Sequence, residues 1–498
     1  MNDNMFKLEH ERKTYARTAI LLLLKAFDEV LGPENIEKIV VEFSMGDNYF
    51  IYPNLKNQQK LTHKNVADLW TRMHDYIAAE LPITKKVMRV DDAIDSFNER
   101  GMTDIAKLLH FRRTSKVTLS CFEGYETYFY GSVLKNAGEI TAFDLMPYRN
   151  GLFLMLPSAD DPEHIREFDP VENLFETQSE AYKLSHLLDV ENIADMNETI
   201  CSGHTTALIL TCESMFEHKL HQTAARIVGS GRKFVFVAGP SSSGKTSTAN
   251  RLAYALRING TKPRLISADN YYLDRTMRPL DENGKPDFES IRALDLELFN
   301  EHMTTLLEGG TIEMPHYNFA TGSREYTGDM IRLGPKDILI IEGIHCMNEL
   351  FSASIPEDQK FKIYVSALSP LNIDEHNRVP TSDVRLLRRI VRDFRTRNYS
   401  AADTIRRWPD VRKGEVENIF PYQGEADATI NTALIYELAV IKPHVEKILF
   451  GIPRDCEEYE KARELLKFLD FVLPVTADQI PPDSIICEFI GGSCMDVG

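Results

Sequence analysis

The sequence predicts an α/β fold in which helices flank a parallel sheet, preceded by a smaller α+β domain. Three observations carry that expectation. Phe234–Ala238 and Ile338–Ile341 are unbroken apolar runs, as parallel strands covered on both faces require. From about residue 231 to 452, strand-like runs alternate with helical periodicity. Before that, short β-like pieces cluster at 116–156 behind amphipathic helices, an α+β texture. The chain divides accordingly into an N-terminal α+β domain (1–160), a connecting helical segment (161–230), the α/β domain (231–453) and a C-terminal helix and tail (454–498).

Residues 11–31 read as a helix ending near Gly32-Pro33, followed by strands at Ile39–Phe43 and Tyr49–Tyr52. Val66, Leu69, Trp70, Met73 and Ile77 fall at helical spacing within 62–81. A further helix, Asp91–Arg100, stops at Gly101, which suits a left-handed C-terminal cap. Strands are expected at Val117–Phe122, Thr127–Tyr130, Ile140–Leu145 and Leu152–Leu156, then a loop at Ser158–Pro162. Glu213–Val228 reads as a helix leading to a Gly229–Gly231 hinge, and Cys456–Phe471 as a charged helix.

Of the 498 residues, 43% are hydrophobic and 27% charged, the balance of a globular protein. No stretch approaches the roughly 20 apolar residues that span a bilayer, so a cytoplasmic location is the default. A net charge of −18 argues against broad binding to nucleic acid or anionic membrane. The seven cysteines are scattered without a CxxC pair and read as reduced thiols.

The chemistry begins after Ala238. Gly239-Pro240-Ser241-Ser242-Ser243-Gly244-Lys245-Thr246, followed by Ser247 and a helix, satisfies the P-loop pattern G-x-x-x-x-G-K-[ST]. Its glycines let backbone wrap close to phosphate, and its amides and helix N-terminus supply positive potential. Lys245 would bridge terminal phosphates, and Thr246 would help hold Mg²⁺. These residues predict a site for ATP and Mg²⁺.

Two strand ends add carboxylates. Leu265–Asp269 reads as the next strand, with Asp269 at its C-terminal end, placed to take the proton from an acceptor hydroxyl. Glu342 ends the run 337–342 and is placed near the metal. On 383–397, Arg385, Arg388, Arg389 and Arg392 share one helix face, expected to act as a mobile lid over the transferring group. Arg389 and Arg392 are the catalytic candidates. An aromatic, polar loop from Pro315 through Tyr317 to Arg324, and a helix opening at Asp287–Asp295 that includes Arg292, are the acceptor-side candidates.

Gly239–Thr246, Ser267–Tyr272, Pro315–Arg324, Ile341–Gly343 and Asp383–Asp393 occur in the order of the uridine kinase and phosphoribulokinase family, which residues 231–453 resemble. Trp408–Glu415, Ile419–Pro421 and Glu488–Ser493 resemble segments of a bacterial multidomain branch of it. The resemblance implies ATP-Mg²⁺ phosphorylation of a nucleoside 5′-hydroxyl with Asp269 as base, Glu342 near the metal, and Tyr317 and Arg389 retained. It also implies a homo-oligomer. Gly322 stands where the family has a pyrimidine-contacting His, Arg292 where an Asp contacts sugar hydroxyls, and Tyr399 where a lid Arg stands. Arg292 would suit an anionic acceptor.

Residues 10–156 resemble the second additional domain of threonyl-tRNA synthetase, through Phe43–Gly46, Leu61–Ile83, Ala93–Leu109, Ser115–Val117 and Tyr125–Tyr130. Ala16 and Ile20 replace that domain's H-x-x-x-H pair, so no metal site and no aminoacyl-tRNA hydrolysis are expected there. Two alternatives to a nucleoside kinase stay open. One is a kinase for another nucleoside or a sugar phosphate; the other is a nucleotide-dependent regulatory or RNA-binding protein.

Overall fold

The computed structural model describes residues 2–158, 161–280, 284, 287, 289–318 and 321–496. Ala159 and Asp160 of the expected loop, Phe288 of the expected helix opening, and Phe319 and Ala320 of the aromatic segment lie outside the described residues.

The N-terminal part holds two antiparallel sheets. β1 (Ile36–Met45), β2 (Asn48–Leu55), β6 (Asp144–Tyr148) and β7 (Gly151–Met155) form one, in the order β1-β2-β7-β6. β3 (Thr84–Arg89), β4 (Lys116–Phe122) and β5 (Tyr125–Thr127) form the other. Leu23 and Phe27 of the helix Asn2–Leu31 and Leu69 and Met73 of the helix His63–Ala78 are buried in one cluster with Val41, Ile51 and Leu152 of the first sheet. Helix Val90–Glu99 does end at Gly101 (φ +77°), with the amides of Gly101 and Met102 donating to Asn98 and Phe97 carbonyls.

Two strand expectations shift. Pairing at 127–130 covers only Tyr125–Thr127, because Tyr128 and Tyr130 carry their apolar surface into a core shared with the C-terminal helices. Residues 140–143 do not pair, and β6 begins at Asp144. The strand β3 and the helix Thr103–His110 carry no expectation from the sequence; five of six β3 side chains are exposed, which erases a burial period.

The α/β part is built on β8 (Phe234–Ala238), β9 (Lys262–Ser267), β12 (Asp337–Glu342), β13 (Lys360–Ser366) and β14 (Ala428–Asn431). All four pairings are parallel, in the order β14-β13-β8-β12-β9. β8 is completely buried: Phe234, Phe236 and Ala238 enter one core and Val235 and Val237 the other, as period-2 alternation demands. The expected aromatic loop is instead a hairpin, β10 (Thr311–Asn318) and β11 (Ser323–Arg332), with Tyr317 opposite Arg324. Ile312, Met314 and, beyond a register shift between Glu313 and Pro315, Tyr317 are buried and hold β10 on the core.

Residues 372–377 join the two parts. Asn372 and Asn377 donate their side-chain amides to the carbonyls of Val41 and Tyr128, both at 2.8 Å, and the Val41 amide donates to Glu375 O at 2.9 Å. Asp374 accepts the amides of His376 and Asn377 at 2.8 Å each, and burial pushes its carboxyl up to about 7. Among the described residues, no helix is long and apolar enough to cross a membrane.

Candidate active site

The C-terminal ends of β8, β12 and β9 lie side by side, with Glu342 in register with Val237 on one side and Ser267 on the other. Sheet order thus sets Glu342 between the loop after β8 and the 3₁₀ turn Ala268–Tyr271 that carries Asp269. Crevices at this edge of an open parallel sheet are where ligands bind.

The loop after β8 needs its glycines. A Cβ at Gly239 would lie 2.0 Å from the Val365 carbonyl oxygen, and Gly244 has φ +83° at the start of the helix Lys245–Ile258. The Lys245 and Thr246 amides, in the first turn of that helix, have no intrahelical acceptor and are suited to cradle an anion. Lys245 donates to the Pro240 carbonyl at 3.2 Å. Burial lowers its pKa, while Glu342, Glu488 and Asp269 oppose that shift.

Burial acts on both carboxylates, and one acts on the other. Burial and Asp269 push Glu342 up to about 7 against the pull of Lys245, and Ser267 donates to Glu342 Oε1 at 3.1 Å. Asp269 is raised by burial, with Lys245, Arg397 and Arg278 holding the shift back. Lys245, Asp269 and Glu342, three residues read from separate stretches of sequence, therefore form one electrostatic unit.

The four arginines of the helix Thr381–Thr396 do not act alike. Arg385 and Arg388 are buried behind the P-loop. Arg385 pairs with Glu415 and donates to the Ser241 carbonyl at 3.0 Å; Arg388 pairs with Glu437 and donates to Thr432 O at 2.9 Å. These two brace the loop and are not lid residues, because leaving either carboxylate without its guanidinium would strand a buried charge. Arg389 reaches the site side: its Nη1 donates to Ser241 Oγ at 2.6 Å and its Nε to Asp393 at 3.2 Å. Arg392 also leans on Asp393, at 3.0 Å. Arg397, which closes that segment and is not singled out as a candidate by the sequence, has its pKa lowered chiefly by Arg392 and lies in the field of Asp269.

On the acceptor side, Tyr317 packs edge-on to Tyr272 at 5.7 Å, and its amide donates to Asn270 Oδ1 at 3.2 Å. Arg324 forms an ion pair at 2.9 Å with Asp295, whose other oxygen caps the helix Leu296–Leu307. Arg292 is exposed on a 3₁₀ turn, and no described contact ties it to Asp269. The cation the fold does bring in is Arg278, which is buried with its guanidinium 4.6 Å from the Tyr272 ring and 4.8 Å from the Tyr317 ring. Glu289, pushed up to about 7 by burial while Arg389 opposes, joins the same wall. Gly322 (φ +75°) closes the hairpin, and a Cβ there would meet Arg275 Nε at 2.8 Å. Tyr399 stacks under Arg407 at 4.2 Å.

One contributor comes from the far end of the chain. Glu488, on the short helix Ile486–Ile490, accepts the Ser247 hydroxyl at 2.6 Å and its amide at 3.4 Å. Ser247 is thus committed to a protein carboxylate. Ile485 abuts Gly244, and Arg395 donates to the Glu488 carbonyl at 2.8 Å. The only sequence signal was the resemblance of 488–493 to a branch motif, which says nothing of where the segment folds.

A family model described as Phosphoribulokinase / Uridine kinase family matches residues 234–436. A uridine kinase of Halalkalibacterium halodurans is 30% identical over 195 residues, covering 39% of this chain and 83% of that protein. One of Oceanobacillus iheyensis is 28% identical over 216 residues, covering 43% of this chain and 93% of its own.

Proposed function

Because the chain belongs to the phosphoribulokinase / uridine kinase family, we propose that it transfers the γ-phosphoryl group of ATP to a hydroxyl of a small molecule, first among them the 5′-hydroxyl of a uridine- or cytidine-type nucleoside. The observation that carries this reading is the single cluster of Lys245, Asp269 and Glu342 at the sheet edge. Lys245 and the amides around Gly244 would hold the terminal phosphates. Asp269 would accept the acceptor's proton as its oxygen attacks phosphorus, and Arg389 and Arg392, with Arg397 behind them, would meet the charge on the transferred group.

The residues present fit Mg²⁺. Two carboxylates, each raised by burial and Glu342 raised further by Asp269, are what a divalent cation relieves, and the Thr246 hydroxyl with Glu342 would hold it. When bound, the ion would neutralise charge on the phosphate oxygens.

A second reading, an anionic acceptor such as a sugar phosphate, is favoured by Arg278, a buried cation beside Tyr272 and Tyr317 within the field of Asp269. Incubation with ATP-Mg²⁺ and a panel of nucleosides and phosphorylated sugars, reading ADP release, tests both. Acceptor-dependent turnover that vanishes in Asp269→Asn supports phosphotransfer, and the acceptor that supports it chooses between them. Acceptor-independent hydrolysis, unchanged in Asp269→Asn, would sink both and favour a nucleotide-dependent regulator.

A further inference from the structure

In a chain with net charge −18, carboxylates outnumber cations, and many cations sit against one. Arg17, Arg112 and Lys467 do not. They come from the helix Asn2–Leu31, the turn after the helix Thr103–His110, and the helix Tyr459–Leu469, and they converge on one aromatic platform. The guanidinium of Arg17 lies 5.0 Å over Tyr130 and that of Arg112 lies 4.8 Å over Phe471. Tyr128 and Tyr130 both meet the Phe471 ring edge-on at 6.3 Å. Lys467 donates to the Tyr130 carbonyl.

Every hydrogen-bond partner of the three is neutral. Arg17 reaches Ser132 O at 3.4 Å; Arg112 reaches the Tyr128 hydroxyl at 3.3 Å and Thr114 Oγ1 at 3.5 Å. Each guanidinium has five N–H donors, so most remain for a ligand. The nearby carboxylate, Glu464, is already paired with Lys13 at 2.7 Å and Lys461 at 3.4 Å. The cost of the grouping is visible at Lys467, whose pKa burial lowers together with Arg112 and Arg17. Arg17 and Arg112 are half-buried and Lys467 is exposed, so the group opens to solvent.

The geometry points to an anion-binding site at this junction, taking the phosphoryl group of a small molecule. Two forked guanidiniums, each seated over a ring, suit the oxygens of a phosphate dianion, and a third cation completes the charge. Tyr128, Tyr130 and Phe471 are buried and offer a base no open ring face, which favours a compact ligand over a nucleotide or RNA base. The site stands independently of the phosphotransfer reading.

The test uses the full chain carrying Lys245→Ala, which removes the P-loop lysine as a competing anion contact, with inorganic phosphate and pyrophosphate as probes in calorimetric titrations. Pyrophosphate binding is expected there, weakened about tenfold or more by Arg112→Gln and by Lys467→Gln. Lys467 is exposed, so its variant separates lost binding from lost folding, which thermal melting checks. No binding, or binding that both variants leave unchanged, overturns the proposal. Binding at these residues by a 5′-phosphorylated oligoribonucleotide, with neither small anion bound, also overturns it.

Discussion

Ser247 and Glu488 join the phosphate-binding loop to the C-terminal turn, 241 residues apart in sequence, through a buried hydroxyl–carboxylate hydrogen bond of 2.6 Å. Ser247 is in the first turn of the helix that would receive ATP, so the far end of the chain helps set the shape of the cradle. Ser247→Ala leaves Glu488 short of a donor in a buried site and should lower unfolding free energy by about 1–3 kcal/mol. Denaturant unfolding measures this, and a nucleotide titration should show a several-fold weaker Kd. Unchanged values for both would make the contact incidental.

Asp269→Asn should retain nucleotide binding yet lose about 10²–10⁴-fold in kcat, because the proton acceptor is gone while the cradle is intact. Wild-type kcat/KM should fall as pH drops below about 7, where Glu342 gains its proton. A flat profile between pH 6 and 8 would remove the ionisation of Glu342 from the mechanism.

The same Glu342 predicts a conflict between stability and activity. Its folded pKa is raised from 4.5 to about 7, so its stabilising contribution is present at low pH and lost as pH rises through about 7. At pH 8, Glu342→Gln should therefore stabilise the nucleotide-free protein, by up to about 3 kcal/mol, while abolishing turnover. Thermal melts at pH 5 and pH 8 check the sign: the gain should appear only at the higher pH.

Adjacent arginines should separate cleanly. Arg388 is fully buried against Glu437, so Arg388→Ala should destabilise by about 3–5 kcal/mol. Arg389→Ala should fold near normally and lose about 10²–10³-fold in kcat. Equal effects on melting would contradict the division of the helix into bracing and reacting residues.

Asp383 ties this helix to both ends of the chain, through Lys461 at 2.8 Å and Lys13 at 3.3 Å. Those cations hold its carboxyl far below the usual carboxylate range despite burial. Its contribution is present above the unfolded value near 4 and lost as pH falls toward the folded one. Asp383→Asn, leaving Lys461 buried beside a neutral amide, should cost about 3–5 kcal/mol in denaturant melts at pH 7. The gap between wild type and variant should narrow progressively as pH falls below about 4, and a gap that stays constant down to pH 2 would contradict the pairing.

The sequence by itself determined whatever local chemistry dictates. A continuous apolar run before Gly239 can only be a buried strand, two glycines around a Lys-Thr pair can only be useful where backbone meets phosphate, and a carboxylate closing each of two such runs falls at the sheet edge where ligands sit. Lys245, Asp269 and Glu342 were legible for that reason. Tertiary structure decided what depends on which distant segments meet. Helical spacing put four arginines on one face, but only packing against Glu415 and Glu437 made two of them braces. The family resemblance made Arg292 the acceptor-side cation, whereas the fold leaves it in solvent and buries Arg278 beside two tyrosines. Glu488 and the cations on Phe471 carry no local signature, because a hydrogen bond or like-charge group made across hundreds of residues leaves no period in the chain.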